Sequence, residues 1–303
     1  MRRTWALAIP ISIALAVAQL RVSGQSQAPD GDALFRTACV TCHDGSANAR
    51  APGPDVLRQR SPGAILDALA NGSMRVQGAR LNGPERRAIA EYLAGTRLGG
   101  DPTGTSTGRC RSTPTFDSRS ASMWNGWGAT VTNARFQPAS AAGLTADQVP
   151  RLTLKWAFGF PDATSAWAQP TVAGGRVFVG SQNGTVYALD AATGCIHWFF
   201  SADGAVRTAI AIGARDGGVT GVYFGDTTAQ AYALDAATGK PLWKTRVEQH
   251  PLARITGTPT LYRDRLYVPA SSYEESQGAN PQYGCCTFRG SVSSIDVRTG
   301  TIV

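Results

Sequence analysis

The sequence contains no long run of Lys or Arg, although the chain of 303 residues carries a formal net charge of +8. Three of these charges, on Arg2, Arg3 and Arg21, lie near the N-terminus, and the +5 that remains is spread along the chain. A charge so dispersed argues against nucleic-acid binding. The 34 Gly and 17 Pro follow no strict period, which excludes a collagen-like chain, and the 43% of hydrophobic residues argue against wholesale disorder.

Only one apolar stretch is long, and it lies at the start of the chain. Trp5–Leu20 is preceded by Arg2 and Arg3 and followed by the small residues of Val22–Gly24. This order predicts a signal peptide over residues 1–24 and export to the periplasm. The stretch is shorter than the roughly 20 residues that a membrane-spanning helix prefers, and an uncleaved anchor is the alternative. No transmembrane segment is expected after the signal is cleaved.

The segment Cys39–His43 reads C-V-T-C-H, the attachment signature of c-type haem. Two thiols one helical turn apart can add to the two vinyl groups of the macrocycle, and His43 is then brought beneath the iron. The alternatives are a zinc site or a redox pair, but no second Cys/His pair lies nearby and the βαβ pattern of thioredoxin-like motifs is absent. We therefore expect covalent haem c on Cys39 and Cys42, with His43 as an iron ligand.

Helical patterns surround this motif. A short helix is predicted over Asp32–Ala38, a second begins at Ser61 with a following proline and ends at Asn71, and a third runs from Pro84 to Gly95. These patterns predict a small all-α domain over residues 30–97. Residues 98–122, rich in Gly, Thr, Ser and Pro, predict a linker.

Methionine is scarce, with only three in the chain. Met74 lies between the second and third predicted helices, as in small class I c-type cytochromes, which residues 30–97 resemble over their whole length. The resemblance implies that Met74 is the second iron ligand, and a thioether there favours a high potential suited to accepting electrons. The alternative is a methionine that fills a gap in the core.

The chain over residues 123–303 repeats itself. Each of three alternating strand patterns runs into an Asp-x-x-Thr-Gly turn, at 186–194, 231–239 and 292–300. The interval between the second and third turns is longer than that between the first and second, so the third repeat contains an insertion, within 271–290. Trp198 and Trp243 follow the first two turns at the same spacing. This period predicts a β-propeller of four-stranded blades, because each blade buries its faces only by stacking on its neighbours.

The third repeat predicts a further Trp just beyond Val303. The residues after the linker supply only three or four blades, too few for a comfortable closed ring. We therefore expect a truncated chain or one half of a larger protein. The predicted fold class is multidomain, with a small all-α cytochrome c domain followed by an incomplete all-β propeller.

The Asp-x-x-Thr-Gly turn with a Trp shortly after it is similar to the blade repeat of pyrroloquinoline quinone (PQQ) dehydrogenases. Residues 124–128 (WNGWG) and 133–137 (NARFQ) look like the start of such a propeller. A cytochrome placed ahead of the propeller resembles the polyvinyl-alcohol dehydrogenase family of quinohaemoproteins. The resemblance implies haem c, PQQ and Ca²⁺ as cofactors, an alcohol as substrate, and an external cytochrome or other electron acceptor as partner.

Cys285 and Cys286 are adjacent in the chain. A bridge between neighbours spans about 3.8 Å between Cα atoms, shorter than usual for a disulfide, and removes almost no chain entropy. In PQQ dehydrogenases such a vicinal disulfide packs flat against the quinone, which implies that role here. The alternatives are two separate thiols, or pairing with Cys110 or Cys195. The pair lies in the inserted loop rather than just after Arg207, where the methanol-dehydrogenase pattern has it.

The resemblance implies further ligands one residue at a time. Arg207 falls where the family binds the quinone carboxylates, and Thr256 and Ser272 fall near positions that hydrogen-bond the quinone. Glu275 matches a calcium-ligating glutamate, and a carboxylate is the ligand that Ca²⁺ prefers. The alternatives are a solvated Arg207 and a surface charge on Glu274 or Glu275.

These patterns predict a periplasmic quinohaemoprotein dehydrogenase that oxidises secondary or polymeric alcohols and passes electrons to haem c. The family's catalytic base and remaining calcium ligands are expected beyond Val303, so residues 25–303 alone are expected to bind haem without turning over alcohol. One alternative is a non-catalytic haem protein with a structural propeller. Another is the same enzyme class acting on a sugar or a small primary alcohol. His197 and His250 are isolated and expected to be structural.

Overall fold

The computed structural model describes the chain in eleven stretches, residues 29–46, 51–70, 72–98, 108–118, 123–130, 132, 134–161, 163, 165–215, 218–278 and 281–303. The predicted signal peptide lies outside them, as do Asn71, Asn133 and parts of the predicted linker. Among the helices of these stretches, none is long and apolar enough to cross a membrane.

The N-terminal unit is helical. Its elements are α1 (Gly31–Ala38), α2 (Pro54–Leu57), α3 (Pro62–Ala70), α4 (Arg75–Gly78) and α5 (Gly83–Ala94). The three long helices lie where the sequence patterns predict them. The single turns α2 and α4 are too short to produce a hydrophobic period, so no pattern in the sequence indicates them.

Side chains at the ends of the helices fix where α1 and α5 begin. The Asp30 carboxylate accepts two backbone N–H groups of the first turn of α1, at 3.0 and 3.2 Å. Asn82 and Glu85 form a reciprocal capping box at the start of α5, and Gly95 ends that helix with φ of 65°. The helices then pack around one small core of buried side chains: Phe35, Ile65, Leu69, Leu81, Ile89, Ala90 and Leu93.

Three antiparallel sheets follow, after a single turn α6 (Ala139–Ala142) and a 3-10 helix (Ala146–Arg151). The first sheet is β1 (Thr171–Ala173), β2 (Arg176–Gly180), β3 (Thr185–Asp190) and β4 (Ile196–Ser201). The second is β5 (Ala211–Ala214), β6 (Thr220–Gly225), β7 (Gln230–Asp235) and β8 (Pro241–Arg246). The third is β9 (Ala253–Arg254), β10 (Thr260–Tyr262), β11 (Arg265–Ser272) and β12 (Ser291–Asp296). The predicted insertion is the connection from β11 to β12, which contains α7 (Glu274–Gln277).

The repeated tryptophans join each sheet to the next. Trp198 donates its Nε1–H to the Ala236 carbonyl at 2.9 Å, and its ring covers Gly239, where an added Cβ would lie 2.7 Å from the indole. Trp243 makes the same bond to the Val297 carbonyl at 2.8 Å. The turn glycine is therefore required both by its φ of 72° and by the ring above it. The propeller-type fold predicted from the repeats is confirmed.

A further tryptophan belongs to the same series. Trp156 donates to the Ala191 carbonyl at 3.1 Å and packs against Gly194 of the first sheet. Its spacing from Gly194 along the chain is close to the spacing of Trp198 from Gly239. The repeat pattern does not indicate Trp156, because no Asp-x-x-Thr-Gly turn comes before it in the chain.

Part of the predicted linker is attached to the first sheet. Cys110 forms a disulfide with Cys195, with Cα atoms 5.0 Å apart, and Arg109 pairs with Ile196 as a parallel bridge. Phe116 packs edge-on against Phe178, with ring centroids 5.7 Å apart. The segment thus extends the outer edge of the sheet.

The connections between strands meet on one side of the sheets. Because neighbouring strands run in opposite directions, the connection between the second and third strands and the connection to the next sheet emerge on the same face. Backbone hydrogen bonds join these connections, from Val206 to Ser181 at 3.0 Å and from Thr227 to Ala205 at 3.0 Å. We call this side the loop face, formed by residues 181–184, 202–210, 226–229, 247–259 and 273–290.

Candidate functional site

A cavity of 330 Å³ lies inside the helical unit. Cys39 and His43 of the attachment motif line it, together with Met74 from a later part of the unit. The rest of its wall is mostly apolar and includes Phe35, Leu57, Ile65, Leu69, Ile89 and Leu93. The structure therefore brings the predicted thiol, imidazole and thioether ligands around one apolar space.

His43 is held in a fixed orientation. The side chain is buried, and Nδ1 lies 2.8 Å from the Pro52 carbonyl oxygen. A carbonyl only accepts, so Nδ1 is the donor, and in the neutral imidazole Nε2 keeps its lone pair. Histidines that bind metals are oriented in this way by a backbone carbonyl behind them. The residues of the cavity therefore fit a haem iron.

The two cysteines of the motif are free thiols. Neither Cys39 nor Cys42 takes part in a disulfide, and burial raises the pKa of the Cys39 thiol. Among the described residues no group of three His, Cys, Asp or Glu side chains could hold a metal ion. Met74 is half-buried at the start of α4 and packs against the helical core.

A second cavity is an open cleft of 630 Å³ on the loop face. Four residues that the family resemblance implies as ligands all line it: Arg207, Thr256, Ser272 and Glu275. A neighbouring pocket of 390 Å³ shares Arg207 and Thr256 with the cleft and extends to residues 125–128. Residues that lie far apart along the chain therefore share one site, because the sheets stack.

Arg254 also lines the cleft, and the sequence patterns missed it. Its side chain is 4% exposed and donates to the Tyr273 hydroxyl, but its Nε has no hydrogen-bond partner. Burial, and then the charge of Arg207, lower the pKa of Arg254 to about 9, against the opposing charge of Glu275. Its position two residues before Thr256 was the available signal, since alternate residues of an extended segment point the same way.

Arg207 is in a similar state. Its guanidinium lies 4.4 Å from the centre of the Trp167 ring, its Nε is buried without a partner, and burial lowers its pKa. Two partly desolvated cations with unpaired donors favour an anionic oxygen ligand, because a guanidinium binds carboxylates with a pair of parallel bonds. The cleft therefore fits a ligand that carries carboxylates.

The cleft fits a calcium ion less well. Among the described residues that line it, Glu275 is the one carboxylate, and Arg207 and Arg254 both oppose a cation there. Calcium takes six to eight oxygen ligands, and the described residues bring together no group of three His, Cys, Asp or Glu side chains. Glu275 is thus a single candidate ligand, and a calcium ion would require further oxygen donors.

Cys285 and Cys286 form a vicinal disulfide. Both residues are exposed, and Sγ of Cys285 lies 4.0 Å from the Glu274 carbonyl oxygen. Neither cysteine lines the cleft, although Phe288 and Arg289 of the same connection do. Their contact with a quinone stays a prediction.

Glu274 is a buried anchor rather than a surface charge. It is 3% exposed and accepts bonds from the Tyr283 hydroxyl at 2.8 Å and from the backbone N–H groups of Thr287 and Phe288 at 2.8 and 2.6 Å. Burial alone would raise the pKa of Glu274, but these bonds outweigh it and lower the pKa to about 2. The carboxylate therefore holds the inserted connection beside the cleft.

The two histidines without an assigned role have structural contacts. His250 places Nε2 2.9 Å from the Thr287 hydroxyl and 3.6 Å from the Glu274 carboxylate. His197 lies 3.5 Å from the Asp190 carboxylate, and burial lowers its pKa. Neither side chain lines the helical cavity or the cleft.

Two protein families match the chain. Residues 149–303 match the PQQ_2 family, described as outer membrane protein assembly factor BamB. Residues 26–93 match the family described as cytochrome c oxidase, cbb3-type, subunit III. The two matches separate the helical unit from the sheets.

The chain is also similar to curated proteins. It is 39% identical over 293 residues to a polyvinylalcohol dehydrogenase of Pseudomonas sp, covering 91% of this chain and 45% of that protein. It is 37% identical over 294 residues to a polyvinylalcohol dehydrogenase of Sphingopyxis sp. (strain 113P3), covering 90% and 44%. The chain thus spans a little under half the length of these relatives. A solved quinohemoprotein alcohol dehydrogenase from Pseudomonas putida HK5 is 25% identical, covering 60% of this chain and 26% of that one, with a TM-score of 0.48.

Proposed function

The chain belongs to the PQQ_2 propeller family and carries a cytochrome c unit ahead of its sheets. We therefore propose that it forms part of a quinohaemoprotein dehydrogenase that oxidises alcohols. Secondary or polymeric alcohols, polyvinyl alcohol among them, are the proposed substrates, in line with the names of the relatives. The observation that carries the proposal is that one chain holds both an apolar cavity lined by Cys39, His43 and Met74 and a cleft lined by two underpartnered arginines.

In the helical cavity, Cys39 and Cys42 would hold haem c by thioether bonds, and His43 and Met74 would ligate its iron. When bound, this group accepts and releases single electrons. The Pro52 carbonyl keeps Nε2 of His43 free to act as the ligand. The apolar wall excludes water and, with the Met74 thioether, favours a high potential.

In the cleft, Arg207 and Arg254 would bind the carboxylates of PQQ, and Thr256 and Ser272 would hydrogen-bond to it. When bound, the quinone accepts the pair of electrons that an alcohol loses on becoming a carbonyl compound. The vicinal pair Cys285–Cys286 is proposed to approach the quinone from the inserted connection. Glu275 is proposed as one ligand of a Ca²⁺ ion, which requires further oxygen donors.

The proposal includes a location and a domain organisation. The signal peptide over residues 1–24 would direct the protein to the periplasm, where disulfides persist. The cytochrome domain would occupy residues 30–97, the linker 98–122 and the partial propeller 123–303. An external cytochrome or other acceptor would take electrons from the haem.

Binding of PQQ to the haem-loaded chain tests the cleft directly. Arg207→Lys and Arg254→Lys keep the charge but lose the planar fork, so each is expected to weaken binding about tenfold. The matched control is Arg246→Lys, because Arg246 is partly buried and donates to the Thr228 carbonyl away from both cavities. Equal affinity in all four proteins, measured by titration calorimetry, would contradict a quinone site between the two arginines.

Oxidation of alcohol is tested in the polypeptide at the full length of its relatives, supplied with PQQ and Ca²⁺. The haem is expected to become reduced when polyvinyl alcohol or a small secondary alcohol is added, as seen in its visible absorbance. A haem that dithionite reduces but that no secondary alcohol, primary alcohol or sugar reduces would overturn the enzymatic proposal. It would favour the alternative of an electron-transfer protein with a structural propeller.

A further inference from the structure

The helical unit rests on the loop face through one continuous surface. The Thr227 hydroxyl donates to the Ala79 carbonyl at 3.3 Å, which joins the end of α4 to the second sheet. Residues of α4 and the next turn also face the third sheet across a small shared space of 260 Å³, lined by Val76, Gln77, Arg80, Pro251, Leu252 and Tyr283. The connections of at least two sheets therefore contact the segment that follows Met74.

Arg86 ties this surface to the first sheet. The side chain is 2% exposed, and its guanidinium donates to the carbonyls of Gly78 at 3.0 Å, Leu81 at 2.5 Å and Gln182 at 2.6 Å. Two of these acceptors belong to the helical unit and one to the loop face. Burial lowers the pKa of Arg86 to about 10, so the group stays charged at neutral pH. A buried cation bonded to fixed backbone carbonyls of both units constrains their relative position, because moving one unit would leave the charge unsatisfied.

Gly83 brings the two backbones together next to Arg86. Its amide donates to the Asn183 carbonyl, so the first residue of α5 is bonded to the connection between β2 and β3. An added Cβ would lie only 2.6 Å from that oxygen. Asn183 is itself buried and bonded to the Pro161 carbonyl at 2.7 Å, so it has little room to move. Any side chain at position 83 must therefore separate the units or displace a buried loop.

The direction of this contact sets which side of the cytochrome faces the sheets. Met74 lines the helical cavity and immediately precedes α4, the helix that lies against the loop face. Val40 and Cys42 of the attachment motif are exposed to solvent. The loop face also carries the cleft with Arg207 and Arg254.

We infer that Arg86 and Gly83 are positioning residues, which hold the cytochrome on the loop face with its Met74 side towards the sheets that carry the arginine cleft. The relay role of this orientation rests on the proposed function, whereas the docking itself does not. Electron transfer weakens steeply with distance, so a fixed orientation would serve transfer from the cleft to the cavity. The side of the unit that exposes Val40 and Cys42 would remain for the external acceptor.

Hydrogen exchange in the haem-loaded chain tests the docking across the contact. In Gly83→Ala, the peptides covering residues 181–185 and 226–229 are expected to exchange at least tenfold faster, and the radius of gyration from small-angle scattering is expected to rise. The matched control is Gly63→Ala, since a Cβ at this other helical glycine of the same unit meets nothing within 4 Å. Unchanged exchange and scattering in Gly83→Ala would overturn the docking.

Arg86 variants separate positioning from folding. Arg86→Met removes donors from the Gly78 and Leu81 carbonyls as well, so the visible spectrum of methionine-ligated haem is recorded first to establish that the unit is folded. If Arg86→Met is folded, hydrogen exchange at residues 181–185 is expected to be faster, as in Gly83→Ala. The exchange rate of Arg86→Lys is expected to lie between those of Arg86→Met and the unaltered protein. A folded Arg86→Met with unaltered exchange would contradict the role of Arg86. If it unfolds, Gly83→Ala alone decides.

The two proposals fail in distinguishable ways. The exchange experiment contains no quinone and no alcohol, so its failure contradicts the docking and leaves the proposed function standing. In a polypeptide that spans the full length of the relatives, Gly83→Ala is expected to slow the reduction of haem by alcohol at least tenfold. The affinity for PQQ is expected to stay unchanged. Intact docking in a protein that no alcohol reduces would contradict the proposed function alone.

Discussion

The helical cavity and the arginine-lined cleft differ in how the chain encodes them. The predicted haem-binding residues lie within the short segment from Cys39 to Met74, and the single motif Cys39–His43 carries both thiols and the histidine. Cys39, His43 and Met74 line the cavity. The residues of the cleft are spread over the much longer segment from Arg207 to Glu275, each without a motif of its own. The cavity therefore depends on local spacing, whereas the cleft depends on the stacking of three sheets.

The largest effect is expected where the chemistry is local. Cys39→Ala combined with Cys42→Ala removes both thiols that can add to the vinyl groups, so covalent haem should be lost completely. Haem staining after denaturing electrophoresis measures the loss. Cys285→Ser combined with Cys286→Ser is the matched pair, and it should keep its haem. Covalent haem on the first variant would show that the motif is not the attachment site.

The next effect concerns a disulfide between two residues that lie far apart in the chain. The Cys110–Cys195 disulfide has a sequence separation of 85, and closing a loop of this size stabilises a protein by about 4 kcal/mol through chain entropy. Cys110→Ser with Cys195→Ser should therefore lower the free energy of unfolding of the sheets by about that amount. Chemical denaturation followed by tryptophan fluorescence measures it.

The vicinal pair is the control for that measurement. The sequence separation of Cys285 and Cys286 is 1, so their disulfide removes almost no entropy from the unfolded chain. The combined variant Cys285→Ser and Cys286→Ser should therefore change the midpoint of chemical denaturation only slightly. A loss as large as that of the Cys110–Cys195 variant would mean that the inserted connection, rather than the outer edge, supports the sheets.

A smaller effect is expected from one repeat contact. Trp198→Phe keeps most of the ring over Gly239 but removes one donor to the Ala236 carbonyl, which still accepts from Arg176 at 3.1 Å. The loss of this one hydrogen bond costs about 0.5–1.5 kcal/mol. Trp127→Phe is the control, because Trp127 is 44% exposed and belongs to no such joint. Equal denaturation midpoints for the two variants would argue that the tryptophan joints do not hold the sheets together.

Sequence patterns predicted those parts of the molecule whose signal is periodic or contiguous. The helices at Gly31–Ala38, Pro62–Ala70 and Gly83–Ala94, the three turns with their glycines and the inserted connection are all found near their predicted places. Trp156 was missed because the repeat to which it belongs has no turn of its own before it. Periodicity detects complete repeats and overlooks partial ones.

The cleft could be predicted only through the family resemblance. Arg207, Thr256, Ser272 and Glu275 do share one cleft, yet nothing in their local sequence says so. No pattern indicates Arg254, and Glu274, for which a surface charge was the alternative, is buried. Both belong to segments whose burial depends on neighbouring sheets, and a linear pattern does not contain that information. The contacts of Arg86 are a further case, since its third acceptor lies 96 residues away.

The last effect comes from the Glu274 carboxylate, and it depends on pH. Although burial acts to raise the pKa of Glu274, hydrogen bonds from Thr287, Tyr283 and Phe288 lower it from 4.5 to about 2. A carboxylate with a depressed pKa stabilises the fold fully above its ordinary pKa, and this stabilisation is lost as the pH falls from about 4.5 towards 2. Glu274→Gln should therefore melt at a lower temperature than the unaltered chain at neutral pH, and the difference should shrink towards zero near pH 2.

Glu275→Gln is the matched control, because the neighbouring carboxylate faces the open cleft instead of the buried connection. At neutral pH its melting temperature should lie closer to that of the unaltered chain than the melting temperature of Glu274→Gln does. His250 lies 3.6 Å from the Glu274 carboxylate, so His250→Gln is measured alongside to separate the imidazole from the hydrogen bonds. A Glu274→Gln deficit that persists unchanged into strong acid would mean that the carboxylate acts through its packing and not through its charge. Local packing would then hold the inserted connection, as it does the helical cavity. The contrast between the cavity and the cleft would then weaken.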